Sequence, residues 1–128
     1  MSVANGSPYD ENNIFARILR GEIPAKKVYE DDYAFAFHDI NPQAPVHVLV
    51  IPKGAYVTYD DFAARASEAE IVDFHRVLAR LCADLGVGAE AKGYRLITNA
   101  FGDGGQEVPH MHVHLLGGRP LGRMLQPA

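Results

Sequence analysis

From His110 to Leu115 the chain alternates imidazole and apolar side chains: His110, Met111, His112, Val113, His114, Leu115. A period of two is that of a β-strand, whose successive side chains point to opposite faces. The spacing predicts a strand over His110–Leu116, with Met111, Val113 and Leu115 on the face toward a core. The other face then carries three imidazoles, neighbours about 7 Å apart and the outer pair about 13–14 Å apart. Packing does not explain them, because these are half of the six histidines in the chain. Imidazole has an ordinary pKa of about 6.5 and can serve as nucleophile, acid, base or metal ligand near neutrality.

The remaining segments show how such a strand is housed. Asn13 can cap a short helix whose stripe is Ile14, Phe15, Ile18 and Leu19, with Gly21 and Pro24 ending it. Lys27–Glu30 and Tyr33–His38 form a predicted hairpin turning at Asp31-Asp32. Val46–Ile51 is almost continuously apolar, as in a strand covered on both faces, and His47 interrupts it. Ser67 with Glu70 makes a capping box for a long helix. Its stripe is Ile71, Phe74, Leu78, Leu81 and Leu85, closed by Gly86 and Gly88. His75 lies off that stripe on the solvent side, and Cys82 at its edge reads as a small buried hydrophobe. A strand over Tyr94–Asn99 and the loop Ala100–Gly105 lead into the histidine segment. The expectation is an α+β fold: a mostly antiparallel five-stranded sheet with one short and one long helix. The domain limits expected are a flexible N-terminal tail over 1–12, one domain over 13–118 and an irregular C-terminal tail over 119–128.

Composition narrows the function. A chain of 128 residues has enough core for one domain without disulfide or metal staples, and its single cysteine favours a reducing compartment. The formal charge of −4 argues against a nucleic-acid partner. The first residues do not read as a signal peptide, and no apolar run approaches the ~20 residues of a membrane span. A cytoplasmic protein with no membrane partner is expected.

Two chemistries compete for the three histidines. A metal ion needs its ligand nitrogens to converge at about 2.0–2.1 Å, which the outer pair of an extended strand does not favour. Covalent catalysis needs one neutral imidazole as nucleophile, His112, with neighbours to orient it and stabilise charge. The glycine-rich run Gly102–Gly105 just before it offers backbone N–H groups to an anion such as phosphate. Covalent catalysis without metal or cofactor is the better reading, since phosphoryl transfer asks mainly for positioning and electrostatic stabilisation.

The run Gln106-Glu107-Val108-Pro109-His110-Met111-His112-Val113-His114-Leu115-Leu116 resembles the signature of the histidine triad (HIT) family. Gly21-Glu22-Ile23-Pro24-Ala25, Ala36-Phe37-His38-Asp39-Ile40, Pro42-Gln43-Ala44-Pro45-Val46-His47 and Asp103-Gly104-Gly105-Gln106 resemble its Hint branch, so the likeness spans roughly residues 13–124. The resemblance implies a homodimer that binds purine nucleotides and hydrolyses the P–N bond of nucleoside 5′-phosphoramidates through a nucleotidyl-histidine. It makes His112 the nucleophile and His114 the α-phosphate contact, with His47 and His110 in the supporting imidazole network. It gives Asp39 the ribose hydroxyls, with Ile40 beside it, and makes Ile14, Phe15, Ile18, Phe37 and Leu49 the purine slot. Asn99, Gly105 and Gln106 would line the phosphate side, and Glu107 would contact the amine leaving group or swing outward. Two departures stand out: Glu107 replaces a serine frequent in animal members, and Pro109 an aromatic residue. A dinucleoside polyphosphate hydrolase and a nucleotide-binding regulator with incidental hydrolysis remain as alternatives.

Overall fold

The computed structural model describes residues 3, 6, 8–89 and 91–127. Its frame is a five-stranded antiparallel sheet of β1 (Lys27–Glu30), β2 (Ala34–His38), β3 (Val46–Pro52), β4 (Tyr94–Ile97) and β5 (Val113–Gly117). The spatial order is β1-β2-β3-β5-β4, which puts β3 and β5 in the middle. Among the described residues four helices accompany it: α1 (Ile14–Leu19), α2 (Tyr59–Arg65), α3 (Glu68–Asp84) and the single turn α4 (Phe101–Gly104).

Strand alternation divides the sheet into two unlike faces. Ala34 and Ala36 of β2, Val48 and Val50 of β3, and Val113 and Leu115 of β5 pack with Phe62 of α2 and with Phe74, Val77, Leu78 and Leu81 of α3. Removing each large side chain from water contributes about 1.5–3 kcal/mol, so this face holds most of the fold's hydrophobic stabilisation. Cys82 is buried at its margin, where burial pushes the thiol pKa up. The capping box of Ser67 and Glu70 starts α3, and the Glu70 carboxylate also accepts from the Tyr56 hydroxyl at 2.8 Å. At the far end of β5, a Cβ on Gly117 would come within 2.7 Å of Val87 Cγ1, so only glycine lets the chain after α3 close over the sheet.

The opposite face carries a thinner layer. Phe35, Phe37, Leu49 and Ile51 meet Phe15 of α1, with Ile18, Leu19, Ala25 and Val108 around them. Asn13 caps α1 by accepting from Ala16 N at 2.9 Å, and Gly21 stops it at φ +77°. Because α1 has only six residues, it covers only part of this face. The histidines adjoin this layer, with His110 and His112 packed against Phe15.

Several boundaries differ from expectation. The strand expected at His110 pairs only from Val113, since the segment before it is tied elsewhere: Met111 N donates to Tyr56 O at 2.8 Å. The β4 ladder stops at Ile97 rather than Asn99. Helix α2 leaves almost no periodic trace because Phe62 is its one buried residue; Thr58, accepting from Asp61 N, starts it. Glycine content alone suggests a loop where α4 forms its turn. Part of the expected N-terminal tail (residues 1, 2, 4, 5 and 7) and Ala128 of the C-terminal one lie outside the described residues. Of the rest of the former, Val3 is buried and its N–H donates to Gln106 O at 3.0 Å.

Candidate active site

Four imidazoles sit on the α1 side of the sheet, each with one ring nitrogen fixed by a partner of known polarity. His112 faces its own neighbour's backbone: Nδ1 lies 2.7 Å from His110 O. A carbonyl only accepts, so Nδ1 carries the proton and Nε2 keeps a free lone pair. His110 places Nε2 2.8 Å from Pro52 O, so that nitrogen donates and Nδ1 accepts. His47 accepts at Nδ1 from Gln43 N at 3.0 Å, which puts its proton on Nε2. That proton faces His114 Nδ1 at 3.0 Å and Asp39 Oδ2 at 3.4 Å. His114 therefore accepts at Nδ1 and has its own Nε2–H free to donate. Of the three alternating histidines, only His114 lies within the paired part of β5, opposite Leu49 and Ile97.

Burial keeps these rings neutral. Desolvation is the first cause of depression for all four, and it pushes His110 and His114 down to about 4, with neighbouring imidazoles adding to it. His112 and His47 are also lowered; the carbonyl of His110 offsets part of the first and the Asp39 carboxylate part of the second. A neutral His112 with its Nε2 lone pair exposed is a nucleophile that needs no separate base.

The scaffold around His112 is mostly backbone. Thr98 Oγ1 donates to His112 O at 2.8 Å, taking over where the β4–β5 ladder ends. Phe15 presents a perpendicular ring 5.0 Å from the His112 ring, fixing its plane. Gln106 holds the preceding loop. Its Nε2 donates to Val57 O at 2.6 Å and Val108 O at 3.1 Å, and its Oε1 accepts from Phe101 N at 2.9 Å. Phe101 itself sits at φ +57°, a conformation unfavourable for a side chain with a Cβ, and that bond helps hold it there.

A cleft of about 290 Å³ opens beside His112, lined by Phe15, Asp39, Leu49, Asn99, Gly105, Glu107, Val108, His112 and His114. Most of the expected binding residues thus meet in one place. Phe37 and Ile18 stand behind as the layer that supports Phe15 and Leu49. Ile14 is 47% exposed and Ile40 91% exposed, and neither lines the cleft. The amide of Gln106, expected on the phosphate side, bonds the backbone of Val57, Phe101 and Val108. His110 is wholly buried and supports from behind. Val108, Thr98 and Tyr9, whose hydroxyl meets His110, are the residues that sequence reasoning missed. None belongs to a periodic stripe or a charged cluster that would have marked it.

Asp39, His47 and His114 bring three potential ligand atoms within 4.8 Å of one another. The chemistry of this set does not suit a cation as it stands. His47 would have to ligate through Nε2, the nitrogen that bears the proton, while Nδ1 is held as an acceptor by the Gln43 N–H. Metal binding there would leave two N–H groups facing each other.

A sheet of this topology with four ordered imidazoles on one face defines a class, and comparison with known proteins gives the same one. The HIT domain family model matches residues 20–121, and the chain belongs to that family. It is 48% identical over 115 residues to the purine nucleoside phosphoramidase of Escherichia coli K12, covering 90% of this chain and 94% of that one. It is 60% identical over 117 residues to an uncharacterised HIT-like protein of Azospirillum brasilense, covering 91% and 94%. Among solved structures, a histidine triad protein from Clostridium difficile superposes with a TM-score of 0.79 at 42% identity, over 91% of this chain and 98% of that one. A HIT family hydrolase from Legionella pneumophila gives 0.76 at 43%, over 87% and 100%.

Proposed function

We propose that the protein is a purine nucleoside phosphoramidase, cleaving the P–N bond of nucleoside 5′-phosphoramidates. The observation that carries this reading is the tautomer of His112: Nδ1–H held by the His110 carbonyl, Nε2 free at a cleft lined by Phe15, Asp39 and Leu49. The identity to the Escherichia coli enzyme supports the substrate class.

The steps follow from the ring assignments. The purine and ribose enter between Phe15, Leu49 and Asp39, whose carboxylate accepts the ribose hydroxyls. His112 Nε2 attacks phosphorus and the P–N bond breaks, its electron pair going to the nitrogen, which takes a proton from water and leaves as the amine. His114 Nε2–H donates to a phosphoryl oxygen, and the Gly105 region faces the same oxygens. Water then attacks phosphorus, its hydroxyl joining the nucleotide and its proton going to solvent. The P–N bond to His112 breaks with its electron pair returning to Nε2, which releases the nucleoside monophosphate and the neutral ring. Neutral rings at His110, His47 and His114 place no fixed cation beside His112, so its lone pair stays nucleophilic.

The reading includes a homodimer in the cytoplasm. Among the described residues the outer edge of β4 is unpaired, and Tyr94 and Leu96 are exposed on that strand, which supports pairing with a second copy; sedimentation velocity tests it. No described helix is long and apolar enough to cross a membrane. The function itself is tested by parallel turnover of adenosine 5′-phosphoramidate and a diadenosine polyphosphate. We expect kcat/KM at least about 100-fold higher for the phosphoramidate, a difference of roughly 2.7 kcal/mol in transition-state binding. Equal or reversed preference would make the protein a polyphosphate hydrolase.

A further inference from the structure

His110 needs a hydrogen-bond donor at Nδ1. Its Nε2–H is committed to Pro52 O, so Nδ1 is an acceptor inside a wholly buried ring. An unpartnered acceptor there would be costly. The donor comes from outside the histidine segment and outside the sheet: the hydroxyl of Tyr9 lies 2.6 Å from His110 Nδ1, with the two rings edge to face at 5.5 Å. Burial raises the Tyr9 pKa and keeps that hydroxyl protonated, hence a donor.

Tyr9 is itself held in place. Asn13 takes the Asp10 carbonyl with both its backbone N–H and its side-chain amide, tying the residue after Tyr9 to the start of α1. Helix α1 in turn sets Phe15 against both His110 and His112. On the other side, the His110 ring and the His110 carbonyl belong to one residue, and that carbonyl fixes the proton of His112. The chain of contacts therefore runs Tyr9 hydroxyl, His110 ring, His110 carbonyl, His112 Nδ1–H.

We propose that Tyr9 is a positioning residue for the nucleophile: its hydroxyl locks His110 as the Nε2–H tautomer and thereby holds the carbonyl that leaves His112 Nε2 free to attack. The proposal rests on the phosphoramidase reading for its kinetic consequence, and not for the hydrogen bond itself. Tyr9→Phe removes the donor while keeping the ring. With Nδ1 unpartnered, the His110 ring must tilt, admit water or change tautomer, and each response moves or repolarises the residue that orients His112. Nucleotide binding uses other groups, so the loss falls on kcat.

The test is Tyr9→Phe in the full chain, with adenosine 5′-phosphoramidate turnover and imidazole ¹⁵N spectra recorded on the same preparation. We expect kcat to fall about five- to tenfold with KM unchanged, the size of one buried hydrogen bond acting on the chemical step. The His110 Nδ1 resonance should move downfield toward a free pyridine-type nitrogen. A merely structural tyrosine would lower Tm and leave both readouts alone. With an active wild type, kcat within twofold of it, or an unmoved His110 resonance, overturns the proposal. An inactive wild type would instead count against the phosphoramidase reading and take the kinetic half of the proposal with it, while the resonance still reads the Tyr9 bond.

Discussion

Three of the four histidines of the cluster are each set by a different backbone group, and His114 by the His47 ring. His112 is set by the His110 carbonyl, His110 by the Pro52 carbonyl, and His47 by the Gln43 N–H. Alternation in the sequence shows that three imidazoles share a face. It does not show which ring attacks, since that depends on carbonyl and amide groups supplied by distant segments. The depressed pKa of His112 has a kinetic consequence. The nucleophile must be neutral, so the acid limb of kcat/KM should fall below the ordinary imidazole value of 6.5, leaving activity flat from about pH 8 down to that point. A midpoint at or above 6.5 in a pH–rate profile would contradict it. The same shifts act on stability. The folded state holds His110 and His114 neutral down to about 4, so the unfolded chain takes up protons first, and stability present above pH 6.5 is lost as pH falls toward 4.

Among the elements, α3 and the hairpin β1–β2 meet through two carboxyl groups. Asp31 Oδ1 accepts from Tyr33 N and Ala34 N, each at 2.8 Å, and its Oδ2 accepts from the Tyr29 hydroxyl at 3.0 Å. Asp73 of α3 faces it with Oδ2 buried and without a partner. Burial first, then the Asp31 carboxylate, pushes Asp73 up to about 6, so a proton on Asp73 supplies the missing donor to Asp31. A carboxyl raised from 3.8 contributes stability fully present below that value and lost as pH rises through about 6. Asp73→Asn replaces the proton with a permanent amide donor. Thermal melts should show the variant gaining Tm over wild type at about pH 8 and much less at about pH 5. A pH-independent difference would remove the shared-proton account. The hairpin and α3 were legible from turn residues and a capping box, but this contact was not, because two aspartates 42 positions apart carry no mark of proximity.

At the scale of the whole molecule, the fold was readable wherever one residue pattern served one purpose. The stripe of α3, the apolar run of β3 and the alternation of β5 each encode a face. Short α2, with Phe62 as its one buried residue, and the strained turn at Phe101 were not, since local hydrogen bonds rather than periodicity create them. Within the site, Phe15, Asp39, Leu49, Asn99 and Gly105, expected from dispersed segments, line one cleft. Ile14 and Ile40 do not line it, because their apolar character says nothing of which way a six-residue helix or a turn presents them. The two-faced sheet explains this division: one face is filled by α3, and the other, under the thinner layer of α1, carries the cleft. The central claim is that His112 becomes covalently nucleotidylated. Rapid mixing with adenosine 5′-phosphoramidate, quenching in alkaline denaturant and peptide mapping by mass spectrometry test it most directly. The account predicts one adenylyl group on His112 during turnover and none in His112→Ala. Turnover without an adduct, or an adduct on His110 or His114, would contradict it.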